Sequence, residues 1–153
     1  LGDVYKRQDY VGLPITQALP YVAALRYEHG LQHRIRIVAS GKLITPDKVA
    51  WALCMGADFV SSARGFMFAL GCIQAMKCGT GHCPTGVTAA DKRLIAGLDP
   101  TDKAVRVSRY ALKMRDEVEI IAHSCGVTDA SKFAPKHVTA LESGVAGFRA
   151  QSN

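Results

Sequence analysis

The chain lacks any apolar run long enough to cross a bilayer, which leaves no helical membrane span to assign. No secretory pattern opens it. Its formal charge of +6 is spread along the sequence and never gathers into a basic tract. Aromatic residues make up only 7% of it. Nucleic-acid binding draws on a clustered basic stripe with aromatic or motif support, so that class is set aside and the charge is read as a solvated surface. Internal repeats and low-complexity tracts are also missing. What is there is a hydrophobic fraction of 48%, enough for a real core within 153 residues. Five cysteines are an odd number, and without export signals they point to reduced thiols or metal ligation, hence to the cytoplasm.

Three of those cysteines dominate the chain. Cys72, Cys78 and Cys83 form a C-x5-C-x4-C array closed by Pro84, with small residues filling the gap between the last two. Thiolates converging from a compact, glycine-tolerant loop suit soft metals and iron–sulfur clusters. Three ligands match a cluster one iron short of a cube, and a Cys-Pro end occurs in ferredoxin-type loops. Other readings stay open on spacing alone. Structural zinc takes four ligands with shorter gaps within each pair. His82 is a poor fourth ligand because it directly precedes Cys83. A disulfide needs an oxidising compartment, and buried cysteines can be small hydrophobes.

Along the chain, Leu1 to Gln8 reads as a translated sequencing-adapter scar and is set apart from the fold. Residues 9–126 read as one domain piece and 127–153 as a short helix with a frayed tail. Ile15 to His29 has helical spacing, with Ile15, Leu19, Val22, Ala23, Leu25 and Arg26 on one face and Pro20 as an expected kink or late start. Two short apolar runs, residues 35–39 and 58–61, read as buried parallel strands. Between them Thr45-Pro46-Asp47 starts a helix that ends near Gly56 and turns Val49, Ala50, Leu53 and Cys54 inward. This is a βαβ unit. Ser62 to Gly65 leads into a helix ending at Cys72, and Pro84 to Asp99 reads as loop. Thr101 and Asp102 are expected to cap a long helix to about His123, with Val105, Tyr110, Met114, Val118 and Ile121 at helical spacing. Gly126 stops it, and Ser131 to Leu141 reads as one more short helix.

The turns after the two strands are the second chemical feature. Ser40-Gly41-Lys42 and Ser62-Ala63-Arg64-Gly65 each put small residues ahead of a helix. Such turns can bind an anion through backbone N–H groups and a helix N-terminus, with Lys42 and Arg64 adding charge. Equally, the glycines can serve the turns alone while both cations are solvated. Gln74 and Lys77 lie between cysteines and are weak candidates for contacting a cluster or flavin. His82 reads as an exposed loop residue, Cys54 as buried filler, Trp51 as core, and Cys125 beside His123 as packing at a helix end.

The run from Ile37 to Thr88 resembles the FMN-binding domain of the glutamate synthase family, including the Leu70-Gly71-Cys72-Ile73 segment that opens the array. A weaker likeness extends from about Gly12 to about Gly126. The filler Gly79-Thr-Gly-His82 departs from relatives that carry Asn or a longer polar side chain there. The resemblance implies an α/β fold, the C-terminal portion of a (β/α)8 TIM barrel comprising its last two β/α units, with a cysteine-rich cluster loop and a helical tail. It implies a 3Fe-4S cluster on Cys72, Cys78 and Cys83. It also implies FMN, its phosphate at Ser40, Gly41, Lys42, Ser62, Ala63, Arg64 and Gly65, in line with phosphate sites after the last strands of such barrels. The reaction implied is reduction of 2-iminoglutarate, formed from 2-oxoglutarate and ammonia, to glutamate. The implied partners are an electron donor, either a ferredoxin or a reductase subunit, and the upstream part of its own barrel. No catalytic acid, base or nucleophile is identifiable. A cluster-free phosphate- or FMN-binding barrel oxidoreductase and a zinc-binding structural module are the alternatives.

Overall fold

The computed structural model describes residues 12–139, so the adapter-like start and most of the expected tail lie outside the described residues. Helix α1 (Ile15–Glu28) is followed by β1 (Val38–Ser40), α2 (Pro46–Cys54), β2 (Phe59–Ser61) and α3 (Ala63–Leu70). After the cysteine loop come a one-turn helix α4 (Lys92–Ile95) and the long α5 (Pro100–Ser124). The class is α/β: mixed helix with a small parallel sheet. β1 and β2 pair in parallel, with Val38 opposite Phe59, Ala39 opposite Val60 and Ser40 opposite Ser61.

Both strands are shorter than their apolar runs. The Ile35 N–H is spent on Leu31 O at 2.9 Å in a turn, and the Ile37 N–H goes to the Asp58 carboxylate at 2.7 Å. Pairing therefore begins only at Val38. Nor are the strands buried throughout: Ala39 is buried, while Val38 and Phe59 are 61% and 60% exposed. In α1, Pro20 sits inside a continuous helix. A proline removes one intrahelical bond, and tertiary contacts hold the rest: Leu19 is buried, and Arg26 reaches out of the helix to Gly56 O at 3.1 Å. Val22, expected inward, is 47% exposed.

The core gathers Leu19, Ala39, Leu43, Val49, Ala52, Ala57 and Val118, with Trp51, Val60 and Met114 packed against it. α5 lies along both α2 and α3. Its inward stripe runs Met114, Val118 and Ala122; Val105, expected on that stripe, is exposed. The helix is capped by Asp99, which accepts from the Thr101 N–H at 2.9 Å, rather than by Thr101 and Asp102. Gly126 at φ +77° ends it as expected. The short helix expected from Ser131 is instead two 3-10 turns, Ala130–Lys132 and Pro135–His137, because Pro135 interrupts any continuous run. Asp91 accepts from the Arg93 N–H at 2.8 Å and caps α4 within the expected loop.

At the entry to the strands, the Asp58 carboxylate collects Arg26 from α1, Arg36 at 3.1 Å and the Ile37 N–H. Burial pushes its pKa up, but the Ile37 N–H and the two guanidinium groups outweigh that and hold it below the ordinary carboxylate value. Among the described residues, no helix is long and apolar enough to cross a membrane.

Candidate functional site

The pairing of Ser40 with Ser61 sets the two candidate anion loops side by side at the same end of the sheet. In the first loop Gly41 has φ +154° and Lys42 φ +58°. A lysine in the left-handed region is uncommon and carries a local cost, so the loop after β1 is held in a specific shape. Ser40 and Lys42 are exposed, and Gly41 is half-buried against Ile15. In the second loop Ser62 stands at the N-cap of α3 without capping it. Ala63 is exposed, Arg64 half-buried and Gly65 buried.

Tyr110 of α5 meets both loops. Its hydroxyl donates to Ile44 O at 2.9 Å and lies 3.2 Å from Ser62 Oγ. Its ring stands edge-on to Phe66, with centroids 5.1 Å apart. Gly65 makes room for it: a Cβ there would lie 1.8 Å from the tyrosine oxygen. Sequence reasoning placed Tyr110 on the inner stripe of its helix but had no signal that a residue 66 positions away would bond Ile44.

The cysteine loop leaves α3 through Gly71, left-handed at φ +104°. Cys72 is half-buried, and its sulfur accepts the Gln74 N–H at 3.5 Å. Gln74 and Met76 both have φ +56°, so non-glycine residues carry left-handed backbone within the array. Cys78 opens a 3-10 turn, Cys78–Thr80, closed by Gly81 at φ +72°. Cys83 is buried, and Gly86 closes its turn by donating to Cys83 O at 3.1 Å. His82 is exposed, as read from the sequence, and so are Gln74 and Lys77.

The chemistry of Cys83 is distinct. Burial pushes its thiol up, but the Thr85 hydroxyl and the Thr88 and Thr85 N–H groups bring it down to about 6. The Thr85 oxygen is 3.3 Å from the sulfur. Among the described residues, the buried Thr88 hydroxyl has no hydrogen-bond partner. A lowered thiol pKa favours the thiolate, the form that binds metal. The two threonines were missed in sequence; their only signal was two hydroxyls following the Cys-Pro step. Cys54 is the contrast. Burial and the neighbouring Cys125 push its thiol up to about 11, as expected of core filler.

All five cysteines, Cys54, Cys72, Cys78, Cys83 and Cys125, are free thiols. Among the described residues, no three Cys, His, Asp or Glu side chains stand close enough together to hold a metal ion. Three thiols suit a thiophilic metal by their chemistry, although they do not form a closed ligand shell in this structure. Basic groups border the loop: Arg106 and Lys103 come within 3.8 and 4.0 Å of the space a Gly71 Cβ would take.

Residues 3–128 match the family described as the conserved region in glutamate synthase. The chain is 45% identical over 134 residues to the glutamate synthase large subunit-like protein YerD of Bacillus subtilis, covering 88% of this chain and 26% of that protein. It is 33% identical over 120 residues to the archaeal glutamate synthase (NADPH) of Methanocaldococcus jannaschii, covering 78% and 24%. A glutamate synthase large subunit-like protein of Rhizobium meliloti is 30% identical over 148 residues, covering 86% and 33%. The chain thus spans 24–33% of the length of these relatives.

Proposed function

The chain belongs to the glutamate synthase family, and from that footing we propose that it supplies the phosphate grip and electron-entry port of an FMN- and 3Fe-4S-dependent oxidoreductase that makes glutamate. The proposed reaction reduces 2-iminoglutarate, formed from 2-oxoglutarate and ammonia. FMN supplies the hydride when bound, and the cluster supplies the electrons that reload it. The observation that carries this reading is the complete C-x5-C-x4-C-Pro array with its buried Cys83. Cys72, Cys78 and Cys83 would hold the cluster.

The phosphate would sit at Ser40, Gly41, Lys42, Ser62, Ala63, Arg64 and Gly65. Two features support this. Among the described residues, α3 carries neither a side-chain cap nor a carboxylate in its first turn, which leaves its N-terminal amides suited to an anion. The loop after β1 is held in left-handed backbone right beside it. Thiol ligands and their sensitivity to oxidation suit the cytoplasm. The electron donor would be a ferredoxin or a reductase subunit.

On this reading β1 and β2 are the last two strands of a (β/α)8 barrel. The exposed Val38 and Phe59 support it, because they are apolar side chains on neighbouring strands with nothing to cover them among the described residues. The preceding strands of the barrel would cover them. The isolated 153-residue chain is accordingly expected to melt without a cooperative transition in circular dichroism; a sharp transition would contradict the barrel-fragment reading. Activity is tested on the full-length protein, purified without oxygen and given 2-oxoglutarate, ammonia and a reduced viologen. Glutamate formation is the expected result. Flavin reduction without glutamate would move the protein to another substrate.

A further inference from the structure

We infer that Tyr110 is a positioning residue for the flavin phosphate, holding the Ser62 hydroxyl away from the N-terminus of α3 and tying the two loops into one cradle. The inference rests on the proposed FMN site and adds a residue outside both loops.

The proton inventory decides the arrangement. A tyrosine hydroxyl has one proton. Tyr110 gives it to Ile44 O at 2.9 Å. Ser62 Oγ, 3.2 Å from the same oxygen, must then be the donor in that contact. A serine at an N-cap ordinarily accepts from an amide two or three residues on. Ser62 does not; its hydroxyl is turned to Tyr110 instead. The first-turn amides of α3 are thereby kept from their own cap, and no acidic side chain in that turn takes its place. Those amides are what a phosphate would use.

The same oxygen, itself far from both in sequence, links the two loops. Ile44 lies 66 residues from Tyr110 and Ser62 lies 48. The tyrosine is fixed in its seat by the Phe66 ring and by the space that Gly65 leaves. Losing the hydroxyl frees the Ser62 side chain to swing back and cap α3. That cap then competes with the phosphate, while the ring still fills its place.

The test uses the full-length protein stripped of flavin, titrated separately with FMN and with riboflavin, which lacks the phosphate. Tyr110→Phe is expected to weaken FMN roughly tenfold, the scale of one or two hydrogen bonds, and to leave riboflavin within about twofold. Adding Ser62→Ala to that variant removes the competing cap and is expected to recover much of the FMN affinity. Equal losses for FMN and riboflavin would show a merely structural tyrosine and overturn the inference. So would a Tyr110→Phe, Ser62→Ala double variant that binds FMN no better than Tyr110→Phe, because no competing cap would then be at work. A wild-type protein that binds both flavins equally would instead sink the phosphate site itself, and the inference with it.

Discussion

Asp58→Ala in the full-length protein is expected to lower the unfolding free energy by about 3 kcal/mol, the low end for breaking a largely buried ion pair. The side chains of Arg26 and Asp58 are only 14% and 18% exposed. Removing the carboxylate leaves the Arg26 guanidinium with backbone carbonyls alone, Gly56 O at 3.1 Å and Ile35 O at 3.3 Å. It also leaves the Ile37 N–H without its acceptor just before the first paired residue. An uncompensated charge and an orphaned amide add to each other. The loss has a defined pH course. The Asp58 carboxyl is held below its ordinary value in the fold. Its contribution is therefore complete above the unfolded-state value of about 3.9 and fades as the pH falls through the lower folded value. Denaturant unfolding at neutral pH should separate wild type and variant, and the gap should narrow in acid. A gap that is constant with pH would show that lost packing, not charge, causes it.

Gly86→Ala is expected to empty the cluster while leaving flavin in place. A Cβ at Gly86 would lie 2.4 Å from the Leu94 carbonyl oxygen and 3.3 Å from Leu98 Cβ. The first neighbour is backbone of α4, which cannot rotate away as a side chain can. Gly86 is also at φ +78°, a region that costs an L-residue about 1–2 kcal/mol. The turn it closes is the one that seats Cys83, through the bond from Gly86 N–H to Cys83 O at 3.1 Å. Relief of the clash must move either α4 or Cys83 with its threonines. The expected readout is an iron-to-flavin ratio at least about fivefold below wild type, from a strain of several kcal/mol set against cluster retention. Iron and flavin lost in parallel would mean that the variant fails to fold instead.

The parts of this chain that could be read from sequence are those governed by local chemistry. Pro46 at the first position and Asp47 in the first turn announced α2, although Thr45 makes no side-chain cap bond, and Gly126 announced the end of α5, because such signals act within a few residues. The cysteine array was legible by its spacing. The strand boundaries were not, because Ile35 and Ile37 are as apolar as Val38 and only their tertiary partners, Leu31 O and Asp58, remove them from the sheet. Arg26 looked like a residue of an inward helical face; its target lies 32 positions on. Tyr110 and the Ser62 hydroxyl belong to the same class, since periodicity assigns a face to a residue but never its bonding partner. Thr85 and Thr88 are ordinary loop residues until the fold brings them onto the Cys83 sulfur.

The most direct measurement is the iron, sulfide, zinc and flavin content of the full-length protein, purified without oxygen, together with its visible spectrum. About three irons per chain, with matching sulfide and one FMN, is the result predicted for a three-cysteine cluster beside a phosphate cradle. Flavin without iron would keep the cradle and contradict the role given to Cys72, Cys78 and Cys83. Zinc without flavin would contradict both and leave a structural metal site in their place.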